Sequence, residues 1–271
     1  MKIIKKYRIL FFVVFTIILT WIGGTIYFNE KLNEIFPQGL LVVLKIIFIP
    51  SIMAPFFIAC IMQYTDSKKK GIIELLKRFL PHKTKFYWYF LAIATPVLVY
   101  FIASIIDSYR GVPFLTPFGN ADYNTIFIVL QTFILAGFAE EMGWRGYLQY
   151  ELQLKYSSLF ISIIIGIVVA IWHFPLFFAQ NDIHSNSSFI SFFFLMIAVA
   201  FIYTWLINNT HSVLIVALFH TSHDIASTSF SLADHLSATI VYGLIAISIL
   251  SIYGIEKFSK PKKRESYETE K

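Results

Sequence analysis

Residues 158–179 read SLFISIIIGIVVAIWHFPLFFA, with no Asp, Glu, Lys or Arg and a single histidine, His173. At about 1.5 Å of rise per helical residue, this run can cross the roughly 30 Å hydrocarbon core of a bilayer. Its apolar residues are continuous, whereas a transmembrane β-barrel alternates apolar and polar positions in segments of about ten. Comparable runs recur along the chain, and about eight spans are predicted: 8–27, 40–63, 86–106, 124–149, 158–179, 189–207, 212–230 and 237–256. Composition agrees. Of 271 residues, 57% are hydrophobic and 14% charged, against about a quarter charged in soluble domains. With 29 Phe besides, too little polar surface remains to cover a water-soluble globule. The expected fold is an all-α, polytopic transmembrane helical bundle, a single membrane domain over 1–271, multi-pass in the cell membrane. The only cysteine, Cys60, excludes an intramolecular disulfide framework or a thiolate metal cluster.

Lys and Arg alternate between the two faces. The N-terminal segment carries Lys2, Lys5, Lys6 and Arg8; the 64–85 loop carries Lys68, Lys69, Lys70, Lys77, Arg78, Lys83 and Lys85; the 257–271 tail carries six more. On the other face, loops 28–39 and 107–123 carry one each, Lys31 and Arg110, and 180–188 and 231–236 carry none. By the positive-inside rule both termini are cytoplasmic, which an even number of spans permits. The same distribution explains the net charge of +6 by membrane orientation, with the lipid bilayer as partner and no nucleic acid. The first apolar stretch is too long for a signal peptide and reads as a retained span. Gly71 to Leu80 reads as a short amphipathic helix on the anionic inner leaflet, and Lys45 lies near enough to a span end to snorkel.

An ionised side chain at mid-bilayer costs about 2.5–3.5 kcal/mol on insertion scales, so such residues mark cavities and function. They concentrate in the second half of the chain. The fourth span contains ILAGFAEEMGWRGYLQYEL, with Glu140, Glu141 and Arg145; the fifth contains His173 with Pro175 close behind; the seventh contains SVLIVALFHTSHDIAS, with His220, His223 and Asp224. On an α-helix Glu141 and Arg145 share a face and form a structural ion pair. Glu140 is turned about 100° away and is left without that partner. His220 and Asp224 also share a face, so Asp224 can orient the ring or help to bind a cation. Pro175 frees a backbone carbonyl near His173. The plainer readings are an interhelical hydrogen bond for His173, a catalytic or structural place for His223, solvated rings for His82, His184, His211 and His235, and lipid-facing bulk or an interface belt for the Phe and Tyr residues.

The stretch Glu140-Glu141-Met142-Gly143-Trp144-Arg145-Gly146-Tyr147-Leu148 resembles the EExxxR motif of the CPBP intramembrane proteases, which comprise the type II CAAX prenyl endopeptidases and the bacterial Abi proteins. Trp172-His173-Phe174-Pro175 is similar to the second motif of that family, and His220-Thr221-Ser222-His223-Asp224 to its third. Order and spacing agree over about 124–230, the expected catalytic core helices. Two positions depart. Val169 stands where the family often has Phe, and Asp224 stands where the prenyl endopeptidases have Asn, an amide able to donate to an oxyanion.

The resemblance implies an intramembrane endopeptidase cutting a peptide bond near the cytoplasmic side of the bilayer. Its substrate would be a membrane-associated peptide or protein, prenylated in the prenyl endopeptidases. Glu140 would activate water, His173 would hold or polarise it, and His220 and Asp224 would stabilise the tetrahedral intermediate or complete a metal site. Glu140, His173 and His220 form an adequate ligand set for catalytic Zn²⁺, and a metal-free glutamate mechanism fits the same residues. The rival reading is a non-enzymatic membrane protein, either a proton-coupled transporter or a bacteriocin-immunity factor acting by binding. Against a transporter, the first three spans carry no buried carboxylate. Cysteine labelling on a Cys60→Ser background should place positions near 75 and 265 in the cytoplasm and one near 115 outside; finding 75 and 115 on the same side would remove the eight-span arrangement.

Overall fold

The computed structural model describes residues 7–28, 35–80, 84–114, 123–179, 184 and 187–254. The side chain of Lys45, the residue His82 and the 257–271 tail, all read above, lie outside this description. Every element among the described residues is helical. In chain order they are α1 (Arg8–Phe28), α2 (Gln38–Ile52), α3 (Ala54–Lys77) and α4 (Tyr87–Ser108). A long composite helix, α5 (residues 123–153), is followed by α6 (Ser158–His173), α7 (Phe189–Thr210), α8 (Val213–Ser229) and α9 (Leu236–Tyr253).

Six helices among the described residues are long and apolar enough to cross a membrane: α1, α4, α5, α6 with its continuation to Phe178, α7 and α9. The other two expected spans take different forms. The run at 40–63 is not one helix. Pro50 lies inside α2 and has no N–H to donate, its ring crowds the preceding turn, and the Met53 N–H closes back on the Pro50 carbonyl at 3.1 Å. A new helix starts at Ala54 with Pro55 in its first turn, where a missing N–H does no harm. The run at 212–230 is α8, 17 residues long and interrupted by His220, His223 and Asp224. It is a helix shaped by its polar residues as much as by lipid.

α3 is kinked at Ser67 and Lys68, where Lys68 takes φ 55°. Its second half folds back closely enough that a Cβ on Gly71 would stand 2.5 Å from the Gln63 carbonyl oxygen. This half, as far as Lys77, covers most of the stretch read as a short amphipathic helix. Ile73 and Leu76 face outward, while the buried Leu75 packs toward Gly146 of α5. Arg8 ties α1 to the same end of the bundle, pairing with the buried carboxylate of Glu151 and, at 3.5 Å, with Asp66.

The core is a cage around α5 and α8. α7 packs against α6, α8 and α9, and α8 packs against α4 and α5. α5 admits its neighbours at glycines. A Cβ on Gly137 would lie 2.8 Å from the Ala217 carbonyl oxygen of α8, and one on Gly143 would lie 2.4–2.6 Å from Cβ, C and O of Pro55. The contact at Gly137 brings the acidic stretch of α5 and the histidines of α8 to one place. Gly143→Ala should therefore destabilise by about 1–3 kcal/mol, the usual cost of overpacking. Gly24→Ala, with nothing within 4 Å, should change stability by much less. Thermal unfolding in detergent checks both, and equal melting of the two variants would contradict the packing.

Candidate active site

The acidic stretch of α5 is not an ordinary α-helix. After α-helical Tyr123–Thr132, residues Phe133–Glu140 and Met142–Gln149 form two wide π-helical segments joined at Glu141, and α-helix resumes at Tyr150–Gln153. The i→i+5 bonding of a π-helix is rare and, where it appears, often marks a functional site. The whole of Met142–Gln149 is buried. The expected 100° offset between Glu140 and Glu141 thus becomes the smaller step of a wider helix.

Glu141 is held from two sides. Its Oε2 receives Arg145 Nε at 3.1 Å, the ion pair expected from the four-residue spacing. Its Oε1 lies 2.8 Å from His220 Nδ1 on α8. Because a carboxylate only accepts, this contact places a proton on Nδ1. His220 Nε2 faces Asp224 Oδ1 at 3.6 Å, in ion-pair range but long for a hydrogen bond. The short contact of His220 is therefore to Glu141, with Asp224 in ion-pair range of the other ring nitrogen, and the Glu141–Arg145 pair extends to His220. The ring crosses between helices because Gly137 lets α8 approach.

Glu140 is 8% exposed, and its buried Oε2 has no hydrogen-bond partner among the described residues. Its electrostatic neighbours are His220, Asp224 and Glu141. His173 ends α6, with Nδ1 2.9 Å from the Val169 carbonyl oxygen. A carbonyl accepts, so the proton sits on Nδ1 and Nε2 keeps its lone pair. The ring is within electrostatic range of His220, and no hydrogen bond joins it to Glu140 among the described contacts. Pro175 opens a short 3₁₀ turn, Phe174–Phe178, and the Trp172 carbonyl accepts the indole N–H of Trp21 at 3.2 Å. The carbonyl beside His173 therefore anchors α1. Glu140, Glu141, Arg145, His220 and Asp224 are thus one cluster, with His173 beside it.

Among the described residues no group of three His, Cys, Asp or Glu side chains could hold an ion. The Nδ1 contacts of His173 and His220 leave Nε2 of each ring available, as in metal-ligating histidines, but Glu140, His173 and His220 are not gathered into a ligand set among the described residues.

His223 is held between two tyrosines. Its Nε2 lies 3.1 Å from the Tyr100 hydroxyl and its Nδ1 2.9 Å from that of Tyr242, which clamps α8 between α4 and α9. Both phenols are buried, as are Tyr147 and Tyr203, so the reading of tyrosines as bulk and belt fails for these four. His184 and His235 are not solvated either: His184 Nδ1 and His235 Nε2 are 3.0 Å apart. Burial pushes His235 down to about 4 and His184 down to about 2, so both are neutral at pH 7 and one donates to the other. At the same end, fully buried Asp107 accepts from Arg110 at 2.8 Å, from Ser237 and from the Ala233 N–H at 2.8 Å; Arg110 also grips Asp234 at 3.0 Å and holds that carboxyl below its usual range. The three-residue spacing of Asp107 and Arg110 was the signal for this lock, which ties the α8–α9 loop to the end of α4.

Fold and site together define a multi-pass membrane protein with a buried acid–base cluster on three helices. A family model described as type II CAAX prenyl endopeptidase Rce1-like matches residues 122–226, the stretch that holds the whole cluster. CAAX prenyl protease 2 of Methanococcus maripaludis is 31% identical over 229 residues, covering 80% of each chain. The chain belongs to the type II CAAX prenyl endopeptidase family. Membership supports an intramembrane endopeptidase activity.

Replacing His223 by Phe should strand two buried phenol hydroxyls at about 1–3 kcal/mol each. A melting temperature of His223→Phe equal to that of the wild type would show that the clamp carries no stability.

Proposed function

We propose that the chain hydrolyses a peptide bond in a membrane-associated substrate, with Glu140 as the general base and no metal. The observation that carries this reading is the contrast between adjacent carboxylates: Glu141 is held by Arg145 and His220, while Glu140 Oε2 is buried without a hydrogen-bond partner among the described residues. A carboxylate oxygen with its lone pairs unused can take a proton from a water, and His173 Nε2, also with a lone pair, can help to hold that water. The hydroxide adds to the scissile carbonyl carbon. Glu140 then returns the proton to the departing amine nitrogen as the C–N bond breaks, leaving a carboxylic acid and an amine. In this reading His220, with Nδ1–H on Glu141 and a second proton on Nε2, turns its Nε2–H edge toward the tetrahedral intermediate while Asp224 balances the imidazolium charge. Asp224 takes the position where prenyl endopeptidases carry an amide, so the oxyanion is stabilised by a protonated His220 edge and not by an amide donor.

The relative named CAAX prenyl protease 2 supports a prenylated CAAX sequence as the substrate class. A C-terminal Cys-aliphatic-aliphatic-X sequence prenylated at its cysteine keeps the scissile region at the membrane, where the site lies. The test is turnover of a fluorogenic, farnesylated CAAX peptide by the full chain in proteoliposomes. Glu140→Gln should lower kcat by about 10²–10⁴-fold, the usual worth of a general base, with melting nearly unchanged. Glu141→Gln should lower the folded yield as well, because removing one partner of a buried pair costs about 3–5 kcal/mol. Wild-type turnover by Glu140→Gln would place the base elsewhere. Loss of activity in EDTA, restored by Zn²⁺, would overturn the metal-free reading.

A further inference from the structure

Tyr203 lies in the middle of α7, a helix whose sequence, FISFFFLMIAVAFIYTWLINNT, gives no sign of chemistry. It is 3% exposed, too deep for an interface belt, and it belongs to none of the motifs that mark the site. Among the described residues its ring meets three side chains. The Arg145 guanidinium carbon is 4.9 Å from the ring centroid, the His220 ring centroid is 5.9 Å away at an interplanar angle of 45°, and Phe219 meets it edge-on at 5.3 Å. Arg145 and His220 are the two groups that hold opposite oxygens of Glu141. One aromatic ring from a third helix therefore touches both outer members of the Arg145–Glu141–His220 arrangement.

A guanidinium buried in a membrane protein needs more than one partner. Arg145 has the Glu141 carboxylate on Nε and the Gln149 amide oxygen on Nη1 at 3.4 Å, and an aromatic ring supplies negative potential to the cation without bringing another charge. The same ring limits how far His220 can tilt, and that tilt decides whether Nδ1 stays on Glu141 and where Nε2 points. An aliphatic side chain of similar bulk would fill the space without the quadrupole or the flat wall.

We propose that Tyr203 is a positioning residue for hydrolysis, whose ring, not its hydroxyl, holds Arg145 and His220 in register about Glu141. The proposal rests on the reading of the cluster as a hydrolytic site. Its test uses the full chain in proteoliposomes and the same farnesylated CAAX peptide, with kcat expressed per folded molecule from the monodisperse fraction. Tyr203→Phe should stay within about threefold of wild type in kcat and KM, because the ring is kept. Tyr203→Leu should lower kcat about tenfold or more, equivalent to about 1.4 kcal/mol of lost transition-state stabilisation, with KM within about twofold. Tyr203→Met takes the place of the leucine variant if that one fails to fold, with the same expected loss. The proposal is overturned if Phe loses as much as Leu, which assigns the role to the hydroxyl. It is also overturned if the aliphatic variants melt lower yet keep full kcat, which makes the ring mere packing, or if KM alone changes, which makes Tyr203 a substrate contact. Glu140→Gln, run in parallel, separates the two failures: its wild-type turnover defeats the reading of the site, whereas an inactive Glu140→Gln beside a fully active Tyr203→Leu defeats only the role of Tyr203.

Discussion

A carboxylate inside a bilayer has no water to solvate it, so its countercharges must come from the protein. Glu141 meets this constraint with Arg145 on one oxygen and His220 on the other. Much of the surrounding architecture serves that arrangement. α8 must come close enough for His220 to reach across, which needs a residue without a side chain at Gly137. The rotation of α8 must be held, and His223 between Tyr100 and Tyr242 does so from α4 and α9. The far end of α8 is steadied by the Asp107–Arg110–Asp234 lock on the loop that follows. Each device is polar, and each is satisfied within the protein.

The division between the two neighbouring glutamates is a consequence of this. Breaking a buried ion pair costs about 3–5 kcal/mol, so the carboxylate engaged by Arg145 and His220 is committed to structure and orientation. Glu140, one position away on a widened helix, shares the same electrostatic neighbourhood without sharing the partners. Adjacent residues of one type are thereby given separate work by geometry. The departure from α-helical winding over Phe133–Gln149 contributes, because it alters which side chains follow one another around the helix while keeping the Glu141–Arg145 contact.

The bundle separates two kinds of surface by the same logic. Outward faces of α4 and α9 present Phe90, Ile102 and Ile247 to lipid, where apolar area has no penalty. Inward faces carry Tyr100, Tyr203, Tyr242 and His223, which need partners. The pair His184–His235 shows how far this reaches: two imidazoles in a loop region, read as solvated, instead satisfy one another among Phe177 and Phe192.

The sequence by itself determined the fold class and the membrane location. Continuous apolar runs and misplaced charges are local signals, and burial in lipid leaves few other ways to read them. It also determined the Glu141–Arg145 pair, since a four-residue spacing survives the change of helix type. Tertiary structure alone decided the break at Pro50–Met53 within an apparently continuous span, the π-helical winding of α5, the choice of Glu141 over Asp224 as the short contact of His220, and the inward turn of Tyr100, Tyr203 and Tyr242. These depend on which helices are neighbours, and helices that share no sequence proximity meet only where glycines and side-chain partners on both sides allow it. Hydropathy reports how well a residue tolerates lipid; it carries no information on which helix stands opposite.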